Sequence, residues 1–436
     1  MPSLEEGASL TSSSVSLLKT IIGAGLMSIP LSFSTDGYIF GSIIIIFAAL
    51  TSGFGLFLQA YVSKFVPRGH ATFFNLCSIT YPSLSVVFDL AIAIQCFGCA
   101  ISYLVLVGDL MPTIVEDISF VDESNYSKFW VLASSVICVP LSLLKNLDSL
   151  KYTSILGLGA IAYLTLLVVF EGLFGDFPND SKGDLTAGPP TVSGVFSTFS
   201  IIVFAFTGHQ NMFSIINEAR DKSLSNLTKL ITFAISLSTG LFILVGLTGY
   251  FTFGNKVGGN IVLSYPSTWA TTLGRFAIVF MVIFSFPLMI HPARISVNNI
   301  YYWFKLKFNS NDTPTNGPNE TSNLLEAQND SNKPSFVVPF PNKVFYTISV
   351  SLLLVGYYLA VTVKSFALVL AIVGATGSTA ISFILPGLFG YTLVGSDVDV
   401  LTNKHKTLKN ASLFLVIWGF VVMVLCLYVS LVLDPA

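Results

Sequence analysis

Charge is what this sequence has least of: Asp, Glu, Lys and Arg together account for 10% of its 436 residues. Soluble chains carry about 25%, because a chain of this length needs a charged surface to stay in water. A soluble globular fold is excluded on that ground. The charge present is nearly balanced, at a net −2, with no basic stripe interleaved with aromatic residues. The electrostatic footprint that a phosphate backbone demands is missing, so nucleic acid is not expected as a partner. Cysteine is sparse as well. Cys96, Cys99, Cys138 and Cys426 fall inside apolar runs and Cys77 precedes one, which gives no disulfide framework. The Cys96/Cys99 spacing is that of a metal or redox pair, but no second pair or nearby His accompanies it, and helix packing accounts for both. The N-terminus lacks the basic flank of a cleavable signal, with Glu5 and Glu6 in its place, so the first apolar segment is expected to stay in the protein. No Ser/His/Asp set, phosphate loop or paired metal ligands occur at a usable spacing; neither catalysis nor a cofactor is expected.

What is abundant is apolar residue, at 53%, gathered into runs such as Phe40 to Val62, Val86 to Val115 and Ser412 to Leu433. Each is long enough for a hydrocarbon core that takes about 20 helical residues. The solvent is lipid. Reading apolar runs between polar breaks predicts an all-α integral membrane protein with about eleven helices, over 13–34, 38–66, 83–115, 129–146, 152–175, 191–217, 229–253, 268–303, 341–363, 365–394 and 411–433. Loops alternate in charge. Lys64 with Arg68, Lys145 with Lys151, Arg220 with Lys222 and Lys229, Lys305 with Lys307, and Lys404 with Lys406 and Lys409 share one side, which the positive-inside rule makes cytosolic. The other side carries Glu116, Asp117, Asp122 and Glu123, then Asp176, Asp180 and Asp184. The tail 1–12 is then cytosolic, the loop 176–190 and the C-terminus are lumenal or extracellular, and about 304–340 is a cytosolic loop whose Asn/Ser/Thr/Pro content reads as disordered. Inside it Glu320, Leu324 and Leu325 form an acidic di-leucine pattern of the kind that sorting adaptors read. Sequons at Asn125 and Asn179 fall in the non-cytosolic loops, but others at Asn311 and Asn319 fall in a cytosolic one, so they do not fix orientation.

A spanning helix satisfies its own backbone, and irregular backbone at membrane depth is tolerated where it is buried or lines a cavity. Interruptions therefore mark candidate sites. The first segment holds Ile22-Gly23-Ala24-Gly25 followed by Pro30: two glycines let the backbone unwind, and the proline removes a donor in the second half-helix. The sixth holds Phe206-Thr207-Gly208-His209-Gln210-Asn211, a polar stretch between apolar runs. The two breaks are five segments apart, and a five-helix unit enters the membrane inverted the second time, which predicts a 5+5 inverted repeat over 13–175 and 191–394 with helix 411–433 outside it. Free N–H groups at half-helix starts suit a carboxylate and exposed carbonyls suit an ammonium or a coupling cation. An amino acid carries both charges. The competing reading, that Gly23 and Gly25 serve close helix packing, leaves the matching break at Gly208 unexplained.

Ionisable residues narrow the coupling question. Lys19 lies four residues before Gly23 on the same helical face, either as a proton carrier and built-in replacement for a cation or as a side chain that snorkels to the cytosolic surface. His209 lies in the second break, where an imidazole can hold substrate and titrate, or serve as a structural hydrogen bond. His291 and Arg294, near the cytosolic end of segment eight, read as gate or scaffold. Asp89, Asp109 and Glu171 come near helix ends and read as interfacial.

Taken together, Lys19 through Gly23 and Gly25 to Pro30, Phe97-Gly98-Cys99-Ala-Ile-Ser-Tyr103, Thr207 to Phe213 and Phe286 to Arg294 resemble the amino acid/auxin permease family. The likeness is greatest to its fungal vacuolar group, with animal sodium-coupled neutral amino-acid transporters more distant. The resemblance implies a LeuT-like fold with an amino acid held between segments one, three, six and eight. Contacts would come from Ile22, Gly23, Ala24, Gly25, Tyr103, Phe206, Thr207, Gly208, His209 and Asn211. In sodium-coupled members the positions matching Lys19 and Ser285 are typically Asn and Thr and belong to the cation site. Here an ammonium stands at the first, which argues against sodium and for a proton. The implied activity is proton-coupled export of neutral or, next, acidic amino acids from a vacuolar lumen to the cytosol. A membrane amino-acid sensor and a plasma-membrane sodium-coupled importer are the alternatives.

Overall fold

The computed structural model describes residues 7–115, 118–144, 151–309, 340–363 and 365–433, with the backbone alone for 151–155, 306–309 and 433. Apart from an isolated parallel bridge between Ala8 and Ala219, every regular element among the described residues is helical. Among the described residues nine helices are long and apolar enough to cross a membrane, or ten when a bent pair is counted as one span.

That pair is α1 (Leu10–Ile21) and α2 (Ile29–Asp36), separated by a 3-10 turn over Ala24–Ser28. Then come α3 (Tyr38–Val62), the short α4 (Phe73–Thr80) and α5 (Ser85–Leu110). The span expected over 129–146 is divided into α6 (Tyr126–Ala133) and α7 (Ser135–Ser142), each of eight residues and too short to cross alone. The Ser134 hydroxyl between them donates to the Val131 carbonyl, and Pro140 removes a donor inside α7; both features loosen a helix. There follow α8 (Lys151–Phe174), α9 (Val192–Ala205), α10 (His209–Glu218) and α11 (Leu224–Phe253). After the single turn α12 (Ile261–Ser264), α13 runs from Trp269 to Asn309, six residues past the expected end at 303 and into the stretch read as a disordered loop. The rest of that loop, with Glu320, Leu324 and Leu325, lies outside the described residues. The last elements are α14 (Asn342–Thr362), α15 (Phe366–Val373), α16 (Leu385–Leu393) and α17 (Asn403–Tyr428).

Exposed apolar side chains form lipid-type stripes at helical spacing, such as Ile39, Ile43, Ile46 and Leu50 along α3 and Leu166, Phe170 and Leu173 along α8. The inner faces pack as a single core in which α13 lies along α5, and α11 bridges α1, α2 and α3. Between α15 and α16 the chain takes two π turns, Gly374–Ser378 and Ala380–Ile384. Glycine lets this stretch approach its neighbours closely. An added Cβ at Gly374 would fall on the Ser200 carbonyl of α9, and one at Gly377 would lie 2.6 Å from the Gln95 nitrogen of α5.

Candidate functional site

The first break begins where α1 stops at Ile21. Ile22 closes the helix with an N–H to the Leu18 carbonyl at 2.8 Å, Gly23 turns back on Ile21 at 3.0 Å, and the chain resumes at Ala24 with a bend of 46°. The first N–H groups of a new helix have no acceptor within it, so Ala24 and Gly25 present donors at the kink. Pro30 removes its donor near the start of the second half-helix. It sits in the first turn of α2, where a missing N–H matters least. The two glycines differ. An added Cβ at Gly23 would meet nothing within 4 Å, whereas one at Gly25 would lie 2.9 Å from the Ala205 Cα at the end of α9.

The second break is short. Phe206 and Thr207 follow α9, Gly208 caps α10, and the Asn211 N–H returns to the Gly208 carbonyl at 3.2 Å. It is heavily braced. The Thr207 hydroxyl donates to Val203 at 2.7 Å, and the fully buried Phe206 ring meets Phe242 edge-on at 4.9 Å. His209 is also fully buried, with Nε2 3.1 Å from the Ser52 carbonyl of α3 and Nδ1 3.0 Å from the Ser382 hydroxyl of the second π turn. Facing a carbonyl, Nε2 must carry the hydrogen, which leaves Nδ1 to accept from Ser382. Gln59 Nε2 donates to the His209 carbonyl at 3.1 Å. Both ring nitrogens are thus taken by the protein, in the geometry of a strut between α3, α10 and the π turn. Gly55 makes room for it: a side chain there would strike the Ser382 carbonyl and the imidazole.

The breaks touch each other. A Cβ at Gly208 would lie 2.8 Å from Cγ1 of Ile21 and 3.1 Å from Cδ1 of Leu17, and Asn211 Nδ2 donates to the Thr20 hydroxyl at 3.3 Å. Ile22, Gly23, Ala24, Gly25, Phe206, Thr207, Gly208 and Asn211 therefore occupy one neighbourhood. Tyr103 lies half-buried on α5 and packs against the core. Lys19 and Ser285 are both half-buried, and Lys19 comes beside Met281 of α13 at Gly157 of α8. The Lys19 Cε is 3.7 Å and the Met281 Cγ 3.3 Å from a Cβ at Gly157, and Ser285 follows Met281 by one turn of α13.

His291 and Arg294 belong to a separate cluster. The buried Arg294 guanidinium donates to the Ser142 carbonyl at 2.9 Å and the Ser349 hydroxyl at 3.0 Å, meets His291 Nδ1 at 3.0 Å, and covers the Phe345 ring at 4.0 Å. It ties α7, α13 and α14 together. Asn125 and Asn179 are exposed, each in a short 3-10 turn. Asp89, near the start of α5, is buried and accepts from Asn299 at 3.0 Å. Three contributors escaped the reading of the sequence. The Gln59 and Ser382 struts carry no signal of their own, although Gly374-Ala-Thr-Gly-Ser378, small and polar inside an apolar run, marks the π turns. Asp36 falls in the gap between the expected spans 13–34 and 38–66, yet it is the last residue of α2 and fully buried.

A family model described as transmembrane amino acid transporter protein matches residues 6–432. Vacuolar amino acid transporter 7 of Saccharomyces cerevisiae is 42% identical, the alignment covering 98% of this chain and 98% of that one. Vacuolar amino acid transporter 6 of the same yeast is 40% identical over 98% of this chain and 100% of its own. Sodium-coupled neutral amino acid transporter 7 of Danio rerio is 24% identical over 66% of this chain and 64% of its own.

Proposed function

The chain belongs to the transmembrane amino acid transporter family, and from that premise we propose that it carries amino acids, neutral ones first and acidic ones next, across a vacuolar or lysosome-type membrane. Transport is by alternating access, with protons, from lumen to cytosol. The observation that carries this reading is the contact between the two breaks, Gly208 against Ile21 and Gly25 against Ala205. Interrupted backbone is brought together at membrane depth, with donors at Ala24 and Gly25 and open space beside Gly23. Those donors suit a carboxylate, and the carbonyls that end α1 and α9 suit an ammonium. The names of the yeast relatives support the substrate class and the membrane.

Lys19 supports the choice of coupling ion. Its side chain reaches from α1 to Gly157 of α8 beside Met281 of α13, and on this reading its ammonium takes the place of a metal cation. His209, with both nitrogens engaged, acts as a positioning residue for the second break, and the Arg294 cluster holds the α7–α13–α14 corner as a scaffold.

The test is uptake of labelled amino acids by vesicles reconstituted with the full chain, at two internal pH values, with and without sodium. A flux that follows the pH gradient and ignores sodium supports the reading. Sodium-dependent flux indifferent to pH removes the role given to Lys19, and binding without flux makes the protein a sensor.

A further inference from the structure

The first span ends on an acid that the contact between the breaks does not use. Asp36 is the last residue of α2 and is fully buried. Among the described residues it has no ion-pair partner, its Oδ2 has no hydrogen-bond partner, and the buried Ser32 hydroxyl one turn before it has none either. The C-terminal end of a helix carries the negative end of its dipole, which opposes a carboxylate at that place. A buried ionised oxygen without a partner is costly in any setting.

The hydroxyls beside it have fewer hydrogens than contacts. Thr35 Oγ1 lies 3.1 Å from Asp36 Oδ1, 3.0 Å from the Ser32 carbonyl and 2.7 Å from Thr198 Oγ1 on α9, and Thr198 Oγ1 lies 3.1 Å from the Gly194 carbonyl. Two hydroxyls supply two hydrogens for these four contacts. A hydrogen on the carboxyl supplies a third. Ser28, Ser32 and Asp36 recur at every fourth residue, so a line of hydroxyls runs along one face from the break at Ala24 to the acid, roughly 18 Å away.

The titratable groups on the elements packed around α2 leave the acid to itself. The start of α3 carries Tyr38; α11 carries Tyr250, whose hydroxyl is taken by the Thr186 N–H at 2.9 Å; the turn after α11 carries Lys256, whose Nζ donates to the Asp180 carbonyl at 2.7 Å. The facing helix α9 has no titratable residue. Segment 186–188 covers this end, with Tyr38 and Ile39 donating to the Thr186 and Ala187 carbonyls. In the orientation proposed above, that is the acidic side.

We propose that the Asp36 carboxyl, with Thr35, Thr198 and Ser32 about it, is the site at which the transported proton is held on its way from the lumen. This rests on the proton-coupled reading above. The step is a proton gained by Asp36 from lumenal water and released on the cytosolic side during the substrate-bearing transition, with no other bond made or broken.

The experiment compares wild type with Asp36→Asn in vesicles containing a pH dye. Substrate-driven proton movement and gradient-driven accumulation should fall about tenfold or more. Exchange of labelled against unlabelled amino acid at equal pH needs no net proton movement and should keep at least about a third of the wild-type rate. Asp36→Glu should restore the gradient response with a displaced pH midpoint. Asp36→Asn that keeps both the wild-type proton flux and pH profile overturns the proposal. Should that variant not reach the membrane, Ser32→Ala and Thr198→Val decide it: a displaced pH midpoint supports the site, an unmoved one overturns it. A wild type without any gradient response instead removes the proton-coupled reading, and this proposal with it.

Discussion

The two interrupted spans use the same device and differ in what surrounds it. At the first, the chain bends by 46° around Gly23, and a Cβ there would meet open space among the described residues. At the second, Thr207 and both ring nitrogens of His209 are hydrogen-bonded to the protein and Gln59 Nε2 braces the His209 carbonyl, while the side-chain oxygens of Gln59 and Gln210 are left without a partner among the described residues. There α9 and α10 remain a single span without a comparable bend. One break is presented and the other is bolted. An alternating-access protein needs both properties, since a substrate must be gripped by something that can change shape against something that does not. On the alternating-access reading proposed above, the two breaks therefore divide the work unequally.

The contact at which the breaks meet gives the largest effect. Gly25 faces the Ala205 backbone, which cannot move aside as a flexible side chain would. Gly25→Val should cost at least about 2 kcal/mol in overpacking, and the shift it forces between α2 and α9 should bring transport below about 1% of wild type. Thermal unfolding in detergent, run beside the flux assay, checks both. A variant that is destabilised yet transports normally would break the comparison at its centre, because the contact would then be packing alone.

Next comes the strut at the bolted break. His209→Ala would remove the imidazole's bonds to the Ser52 carbonyl and the Ser382 hydroxyl and leave a cavity between them, at a cost of about 2–4 kcal/mol. His209→Gln keeps one donor and one acceptor and should regain part of that stability. The pair of variants sharpens the assignment. If the loss appears in substrate affinity at unchanged melting temperature, the imidazole belongs to the substrate and the second break is not the fixed one.

How much of this was legible in the sequence follows from the range of the forces involved. Span positions were legible because burial in lipid demands runs of apolar residues, and α3, α5, α11 and α17 lie where such runs occur. The breaks were legible as Gly23, Gly25 and Gly208, since backbone freedom is written in residue type. What the sequence could not distinguish was Gly23 from Gly25, because the difference lies in Ala205, about 180 residues away in the chain. The same holds for Asp36. Ser-Thr-Asp-Gly reads as the end of a helix, and only the approach of Thr198 and the cover of segment 186–188 bury it. The split at Ser134 and the six extra residues of α13 were hidden for another reason: both depend on local hydrogen bonds that hydropathy does not see.

The smallest expected effect falls on the open side. Gly23→Ala adds one methyl to space that holds no protein atom within 4 Å, and the backbone there has negative φ, so the fold should not respond. Its melting temperature should match wild type. If that space admits the substrate backbone, the methyl competes with it, and the KM should rise about three- to tenfold, equivalent to about 1 kcal/mol, with kcat little changed. The contrast with Gly25 is then the decisive measurement. Two glycines separated by one residue would give opposite signatures, one in affinity without stability and the other in stability with flux. A Gly23→Ala protein with unaltered KM for every amino acid carried would place the substrate elsewhere and leave the kink as a hinge alone.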